Sequence, residues 1–302
     1  MSLASGLRAA AADIKLHHSV FAMPFALLGA CMAAVQPNGM PWASMAGPLA
    51  LIVGCMVFAR TVAMLANRIV DASIDARNPR TAGRAIPSGR LSRRAALSMV
   101  AVSVLAFEAC VFAFAALYGN AWPLLLHVPV LLWLSFYPNT KRFTWLCHAW
   151  LGASLAMSVP AAALALRPES LGQPAIWWLA GMVLLWVTGF DVIYALQDVD
   201  SDRREGLYSM PARLGVSASL WSSRAMHLAA VVCLWQAYFA EPRLGLPFAL
   251  AIGLVTAVLV LEHATVHRWG TSRMALTFFT LNGIVSIVLG TAGILGLAGV
   301  GR

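Results

Sequence analysis

Asn67, Asp71 and Asp75 recur at four-residue intervals, and Tyr194, Asp198 and Asp202 repeat the same spacing. On a helix this spacing sets each trio on one face. Carboxylates four apart repel one another by roughly 0.2–0.5 kcal/mol in an isolated helix, and a divalent cation is the obvious reason to keep them there. Arg60, seven residues before Asn67, falls on the first face; Asp191, seven before Asp198, extends the second. The trios are offset by 127 residues, and each is followed by arginines, a proline and a new apolar run, which reads as a weak internal repeat. Seven of the 12 acidic residues lie in these two stretches. Of the seven, Asp200 and Glu205 read as ordinary loop charges.

No histidine or cysteine accompanies either trio, so the donors are oxygens. That favours a hard cation, Mg²⁺ rather than zinc. Mg²⁺ typically takes one or two carboxylates and completes its shell with phosphate oxygens. Arg77, Arg80, Arg84, Lys141, Arg142, Arg203 and Arg204 surround the trios in sequence, and guanidinium and ammonium groups suit the rest of a diphosphate.

These groups have to be positioned by apolar segments. Of the 302 residues 60% are hydrophobic and 11% charged, against about 25% charged in a soluble domain. The chain reads as a single all-α polytopic membrane domain of nine spans, near 17–36, 44–70, 93–117, 121–137, 144–165, 175–198, 215–239, 246–267 and 275–298. The first run resembles a signal peptide, but further apolar segments mark it as a retained helix. With nine spans, one side collects 18 of the 21 Lys and Arg residues, leaving Arg167, Arg243 and Arg302 on the other. The positive-inside rule makes the crowded side cytoplasmic, and both aspartate trios end spans that face it. The net charge of +9 therefore reflects topology and an anionic substrate, not nucleic acid. The five cysteines form no CxxC pair, so they read as packing residues. His17 and His18 read as interfacial; His127, His148, His227, His263 and His267 read as packing or interfacial residues. Glu108 and Glu262 are buried acids without obvious partners.

The motifs are similar to those of a known family. NRxxDxxxD, from Asn67 and Arg68 to Asp75, and YxxxDxxxD, from Tyr194 to Asp202, together with nine spans, resemble the UbiA superfamily of intramembrane aromatic prenyltransferases. YPNTKRFT, Tyr137 to Thr144, looks like the family's YPxxKRxT segment, and HSVFAMPFALLGA resembles its first helix. The likeness covers about residues 15–295. NPRTAGR and GFDVIYALQD look closest to the bacterial branch that makes quinone precursors. The resemblance implies a helical bundle around a central cavity, open toward the cytoplasmic half of an inner membrane and laterally to lipid. It implies Mg²⁺ on Asp71, Asp75, Asp198 and Asp202, holding a polyprenyl diphosphate whose tail lies in the bilayer. An aromatic acid would be the acceptor: 4-hydroxybenzoate, or alternatively 1,4-dihydroxy-6-naphthoate on the futalosine route to menaquinone. Arg68, Tyr194 and the surrounding cations fall in the expected substrate site.

The acceptor acid requires a cation apart from those on the diphosphate. Arg60 is the first candidate, about 10 Å below Asn67 at 1.5 Å per residue, and its fork matches a carboxylate. Pairing of Arg60 with Asp191 or another acid across the bundle is the competing reading, and Arg142 is the runner-up for the acceptor's carboxylate. Asn67 would orient the ring hydroxyl or carboxylate, and Asp191 would hold the acceptor's hydroxyl or take its proton. A transporter fits less well, because the polar motifs cluster at helix ends on one side and not at broken helices near the midplane. The glycine-rich DGxxAR run of CDP-alcohol transferases is absent, and a purely structural subunit leaves the paired aspartates unexplained.

Overall fold

The computed structural model of the protein describes residues 21–35 and 40–300, and they are helical throughout, with no strand among them. His17, His18 and the start of the first expected span lie outside the described residues. The helices are α1 (Met23–Ala34), α2 (Ala46–Val70), α3 (Ala72–Arg77), α4 (Arg93–Tyr118), α5 (Trp122–Thr140), α6 (Cys147–Ala156), α7 (Ser158–Leu166), α8 (Pro174–Ala195), α9 (Val199–Arg204), α10 (Met210–Leu214), α11 (Val216–Ala240), α12 (Gly245–Trp269) and α13 (Asn282–Leu297), with a π-helix at Ala275–Leu281. Among the described residues six segments are long and apolar enough to cross a membrane: Ala46–Val70, Arg93–Tyr118, Cys147–Leu166, Pro174–Arg204, Pro242–Trp269 and Ala275–Leu297. They coincide with six of the nine expected spans. The other three fall short for visible reasons. The helix α1 is 12 residues long, α5 carries Pro129 and Pro138, and the serines, Arg224 and His227 of α11 dilute its apolar run.

The centre of the bundle is α8. Ile176, Leu179, Met182, Val183, Trp186 and Val187 are fully buried along it, and it packs against α6 and α11. Lipid is as apolar as leucine, so close packing, not the hydrophobic effect, must hold such helices together, and small residues permit it. A Cβ at Gly152 of α6 would stand 2.4 Å from the carbonyl oxygen of Leu184 on α8. A second group, α2, α4 and α5, packs around Ala59, Val62, Phe107, Val111 and Leu131. Ala26, Ala30, Ile52, Phe114, Ala162 and Ala165 join it to α1 and α7. Large apolar side chains such as Val102, Leu105, Phe112, Leu132 and Val260 point outward, as suits a lipid-facing surface.

Both expected polar faces turn out to be broken helices. The first breaks at Asp71 (φ −92°, ψ 3°), between α2 and α3. The second breaks at Asp198 (φ −110°, ψ 4°), where a single 3₁₀ turn separates α8 from α9. The first face survives its break because Asp71 N–H still bonds to the Asn67 carbonyl at 3.0 Å and Asp75 N–H to the Asp71 carbonyl at 2.8 Å. The chain also breaks at Met157, three residues before Pro160, whose ring clashes with the carbonyl four back and donates no N–H.

Candidate active site

The ends of α2 and α8 with their continuations α3 and α9, the C-terminus of α5, the start of α6 and the loop before α10 enclose a polar cavity of about 170 Å³. Asn67, Asp71, Asp75, Arg84, Lys141, Asp191, Tyr194, Asp198 and Asp202 all line it. The sequence separates these residues by up to 135 positions, and the two helix ends bring them together.

Each side chain has a defined role in the wall. Asp71 is buried and accepts from Lys141 Nζ at 2.6 Å and Arg142 Nη2 at 2.9 Å. Asn67 Nδ2 donates to it at 3.2 Å, while Asn67 Oδ1 accepts from Arg68 at 2.7 Å. Asp75, also buried, meets Arg84 Nη1 with both oxygens at 2.7 Å. Asp198 is held from across the cavity by Arg80, which reaches it through Nε at 2.9 Å and through a second, shorter contact, and by Asn78 Nδ2 at 3.0 Å. Arg80 also donates to the Tyr194 hydroxyl at 3.1 Å. Asp202 sits beside Ser209 and has no ion pair among the described residues. Deeper in, Asp191 pairs with His148 at 2.6 Å.

Several expected binding residues lie outside the cavity lining. Arg68 props Asn67 from behind. Arg142 backs Asp71 and bonds to the Val70 and Pro138 carbonyls. Arg77 and Glu205 form a two-bond bridge on the rim, the Nε contact being 2.7 Å. Arg203 is exposed and donates to the Ala212 carbonyl at 3.4 Å. Arg60 is half-buried in α2 below Asn67, and Asp191 takes His148, not Arg60, as its partner. Glu108 is not without a partner either, since His127 Nε2 lies 3.1 Å away.

Sequence reasoning passed over His148, Asn78, Thr81, Tyr137 and Ser209, all of which line the cavity. His148 reads from sequence as a packing or interfacial residue, yet it stands in the first turn of α6, only six residues after the basic loop Lys141–Arg142. A histidine at the polar end of a span, rather than its middle, is the signal that distinguishes it.

The rim electrostatics follow from these pairs. Burial alone would lower the Arg80 pKa, but the hydrogen bond and charge of Asp198 outweigh it and the guanidinium is raised. On the outer rim the hydrogen bond from Arg77 holds the Glu205 carboxyl below its usual value. Among the described residues no three His, Cys, Asp or Glu side chains converge closely enough to hold an ion unaided. The oxygen-only donors on facing walls fit a hard cation that draws its remaining ligands from a phosphate.

A sequence profile of the UbiA prenyltransferase family matches residues 22–299, and the chain belongs to that family. The apo structure of a UbiA homologue from Aeropyrum pernix K1 superimposes with a TM-score of 0.80 at 33% identity, over 92% of this chain and 97% of that one. A UbiA homologue from Archaeoglobus fulgidus, solved bound to GPP and Mg²⁺, shares the fold at 14% identity, with a TM-score of 0.70 over 96% and 99% of the two chains. Among named relatives, the 4-hydroxybenzoate octaprenyltransferase of Saccharophagus degradans is 30% identical over 69% of this chain. That of Shewanella sediminis is 29% identical over 80% of this chain and 81% of its own. The match spans 66% of the Saccharophagus protein and 56% of the Photobacterium profundum one.

Proposed function

We propose that this protein is an integral membrane enzyme that transfers a polyprenyl group from polyprenyl diphosphate to an aromatic acid, 4-hydroxybenzoate, for quinone synthesis. The observation that carries the reading is the convergence of two aspartate-bearing helix ends and three cations, Arg80, Arg84 and Lys141, on one cavity. The relatives named for 4-hydroxybenzoate octaprenyl transfer support the acceptor. The homologue bound to GPP and Mg²⁺ supports the donor and the metal.

Asp71, Asp75, Asp198 and Asp202 would hold Mg²⁺, and the Mg²⁺ would in turn hold the diphosphate. Bound Mg²⁺ would neutralise the leaving diphosphate and so ease cleavage of the allylic C–O bond. Lys141, Arg84 and Arg80 then exchange part of their carboxylate contacts for phosphate oxygens, which guanidinium and ammonium groups bind strongly. Arg142 and Arg68 keep Asp71 and Asn67 in place. Arg77 and Arg203 add positive charge at the rim, where the diphosphate approaches. Asp191 accepts the hydrogen bond of the acceptor's hydroxyl, raising electron density at the neighbouring ring carbon. That carbon bonds to C1 of the prenyl group, the C–O electron pair leaves with the diphosphate, and the ring proton is released as aromaticity returns. Arg60 faces the acceptor's carboxylate. The helix walls keep water from the allylic cation.

The whole chain reads as one membrane domain with nine spans in a bacterial-type inner membrane and the aspartate ends in the cytoplasm. The lysine and arginine asymmetry supports this orientation. Gly83 is exposed in the loop beyond α3, and Glu169 is exposed on the opposite side of that arrangement. In a cysteine-free background, Gly83→Cys in intact cells resists an impermeant thiol reagent while Glu169→Cys is labelled. The reverse pattern inverts the topology.

The functional test is product mass. Membranes carrying the protein, supplied with polyprenyl diphosphate and Mg²⁺, yield prenylated 4-hydroxybenzoate and none in excess EDTA. Product from 1,4-dihydroxy-6-naphthoate alone moves the enzyme to the menaquinone branch, and turnover in EDTA removes the metal from the reading.

A further inference from the structure

His148 is 4% exposed in the first turn of α6, beside the cavity and outside every motif described above. Both of its ring nitrogens are engaged. Nε2 lies 3.1 Å from the backbone nitrogen of Met210, and Nδ1 lies 2.6 Å from Asp191 Oδ2. A backbone N–H can only donate, so Nε2 must accept. The ring proton therefore sits on Nδ1 and is donated to Asp191. A doubly protonated ring would set two N–H donors against each other. The tautomer is thus imposed by the main chain, as the partner of one ring nitrogen fixes the state of the other.

This arrangement leaves His148 nothing to offer a substrate directly. Its effect falls on Asp191, which forms no other hydrogen bond among the described residues and lines the cavity. With one oxygen pinned by His148, the carboxylate cannot rotate freely about χ2, and the second oxygen is left to accept. The Met210 contact ties the arrangement to the first residue of α10 and so to the loop that leads into it. That loop is fastened a second time by Tyr208 N–H to the Lys141 carbonyl at 2.7 Å. The loop that carries Ser209 into the cavity thereby also fixes the imidazole.

We infer that His148 is a positioning residue: held by the Met210 amide, it orients the Asp191 carboxylate toward the hydroxyl of the aromatic acceptor. The inference rests on the transfer reaction proposed above for this cavity.

Two substitutions separate this role from simple loop anchoring. The amide of Asn reaches the place of Nδ1, so His148→Asn keeps a donor to Asp191 and gives up the Met210 contact. Gln reaches the place of Nε2, so His148→Gln keeps an acceptor for Met210 and gives up the donor. We expect His148→Gln to lower kcat on the order of 10–100-fold, the scale of a misplaced catalytic group, with KM for the prenyl diphosphate unchanged. His148→Asn retains most of the turnover. The opposite ranking, or wild-type kcat in both, overturns the inference. A second measurement does not depend on turnover: ¹⁵N NMR of histidine-labelled protein in lipid bilayers. It should show a neutral Nδ1–H ring that vanishes in His148→Gln and shifts in Asp191→Asn. A His148 ring protonated on Nε2, or one unaffected by Asp191→Asn, overturns the inference too. If wild-type protein prenylates no aromatic acid, the transfer reading fails in that control, while the NMR result still decides whether His148 orients Asp191.

Discussion

The two polar helix ends share a spacing and a break, yet they are built differently. At the first, Asp71 and Asp75 are 1% and 4% exposed, and each is already neutralised by cations from the loops around it: Lys141 and Arg142, and Arg84. At the second, Asp198 and Asp202 are only half-buried. Asp198 borrows its countercharge from Arg80 of the first stretch, and Asp202 has no ion pair among the described residues. Buried carboxylates need such partners, because removing one strands the other's charge at a cost of several kcal/mol. The first end is therefore a preformed wall, and the second is the wall at which an arriving cation displaces the fewest contacts.

The sharpest way to break this comparison is to neutralise one carboxylate in each wall. Asp71→Asn and Asp202→Asn should both reduce prenyl transfer by about 10²–10³-fold, the scale of losing one electrostatic stabiliser. Only Asp71→Asn should also lower the melting temperature, because Lys141 and Arg142 lose their anion. Equal melting shifts in the two variants would mean that the walls are not built differently.

Next in size is the bridge between the walls. Arg80→Ala frees Asp198 and Tyr194 together, and KM for the prenyl diphosphate should rise about tenfold while kcat changes less, as for a lost binding contact. A fall in kcat alone would place Arg80 in the chemical step. Below the first wall, Arg60→Lys should raise KM for the aromatic acid and spare that for the diphosphate. A rise in the diphosphate KM instead would move Arg60 into the phosphate site.

The smallest effect belongs to the rim pair Arg77–Glu205, which is exposed and screened by water. The Glu205 carboxyl is depressed in the folded protein. Its contribution to stability is present above the ordinary carboxylate range and fades as pH falls through the lowered value. Melting curves of Glu205→Gln should match those of the wild type at acid pH and differ only slightly at neutral pH. A large neutral-pH difference would make the rim pair a structural clamp between the walls.

Much of this site is legible in one dimension. Carboxylates four apart and a basic loop after an apolar run are local patterns, and the cavity gathers Asp71, Asp75, Asp198, Asp202 and Lys141 as their spacing suggests. Six of the expected spans are equally plain, because lipid demands long uninterrupted apolar runs. The sequence does not announce the breaks at Asp71 and Asp198, since neither is a proline or a glycine. Nor does spacing reveal which cation meets which acid. Arg80 finds Asp198 across 118 residues, and His148 finds Asp191 across 43. Such pairings depend on how helices lie together, as the prolines and serines of α5 and α11 depend on neighbours to be tolerated in a membrane.

The crossing of α6 and α8 is close. Gly152 lies one turn beyond His148 on α6, and it meets Leu184 and Thr188 of α8, the latter one turn before Asp191. Gly152 bears on the Leu184 carbonyl and the Thr188 hydroxyl, and a side chain of its own would have no room there. Helices this close would tilt as a unit under lateral pressure, which would leave the gap between imidazole and carboxylate as it was. A glycine with no chemistry of its own thus sets how closely the two helices that carry a 2.6 Å contact can lie.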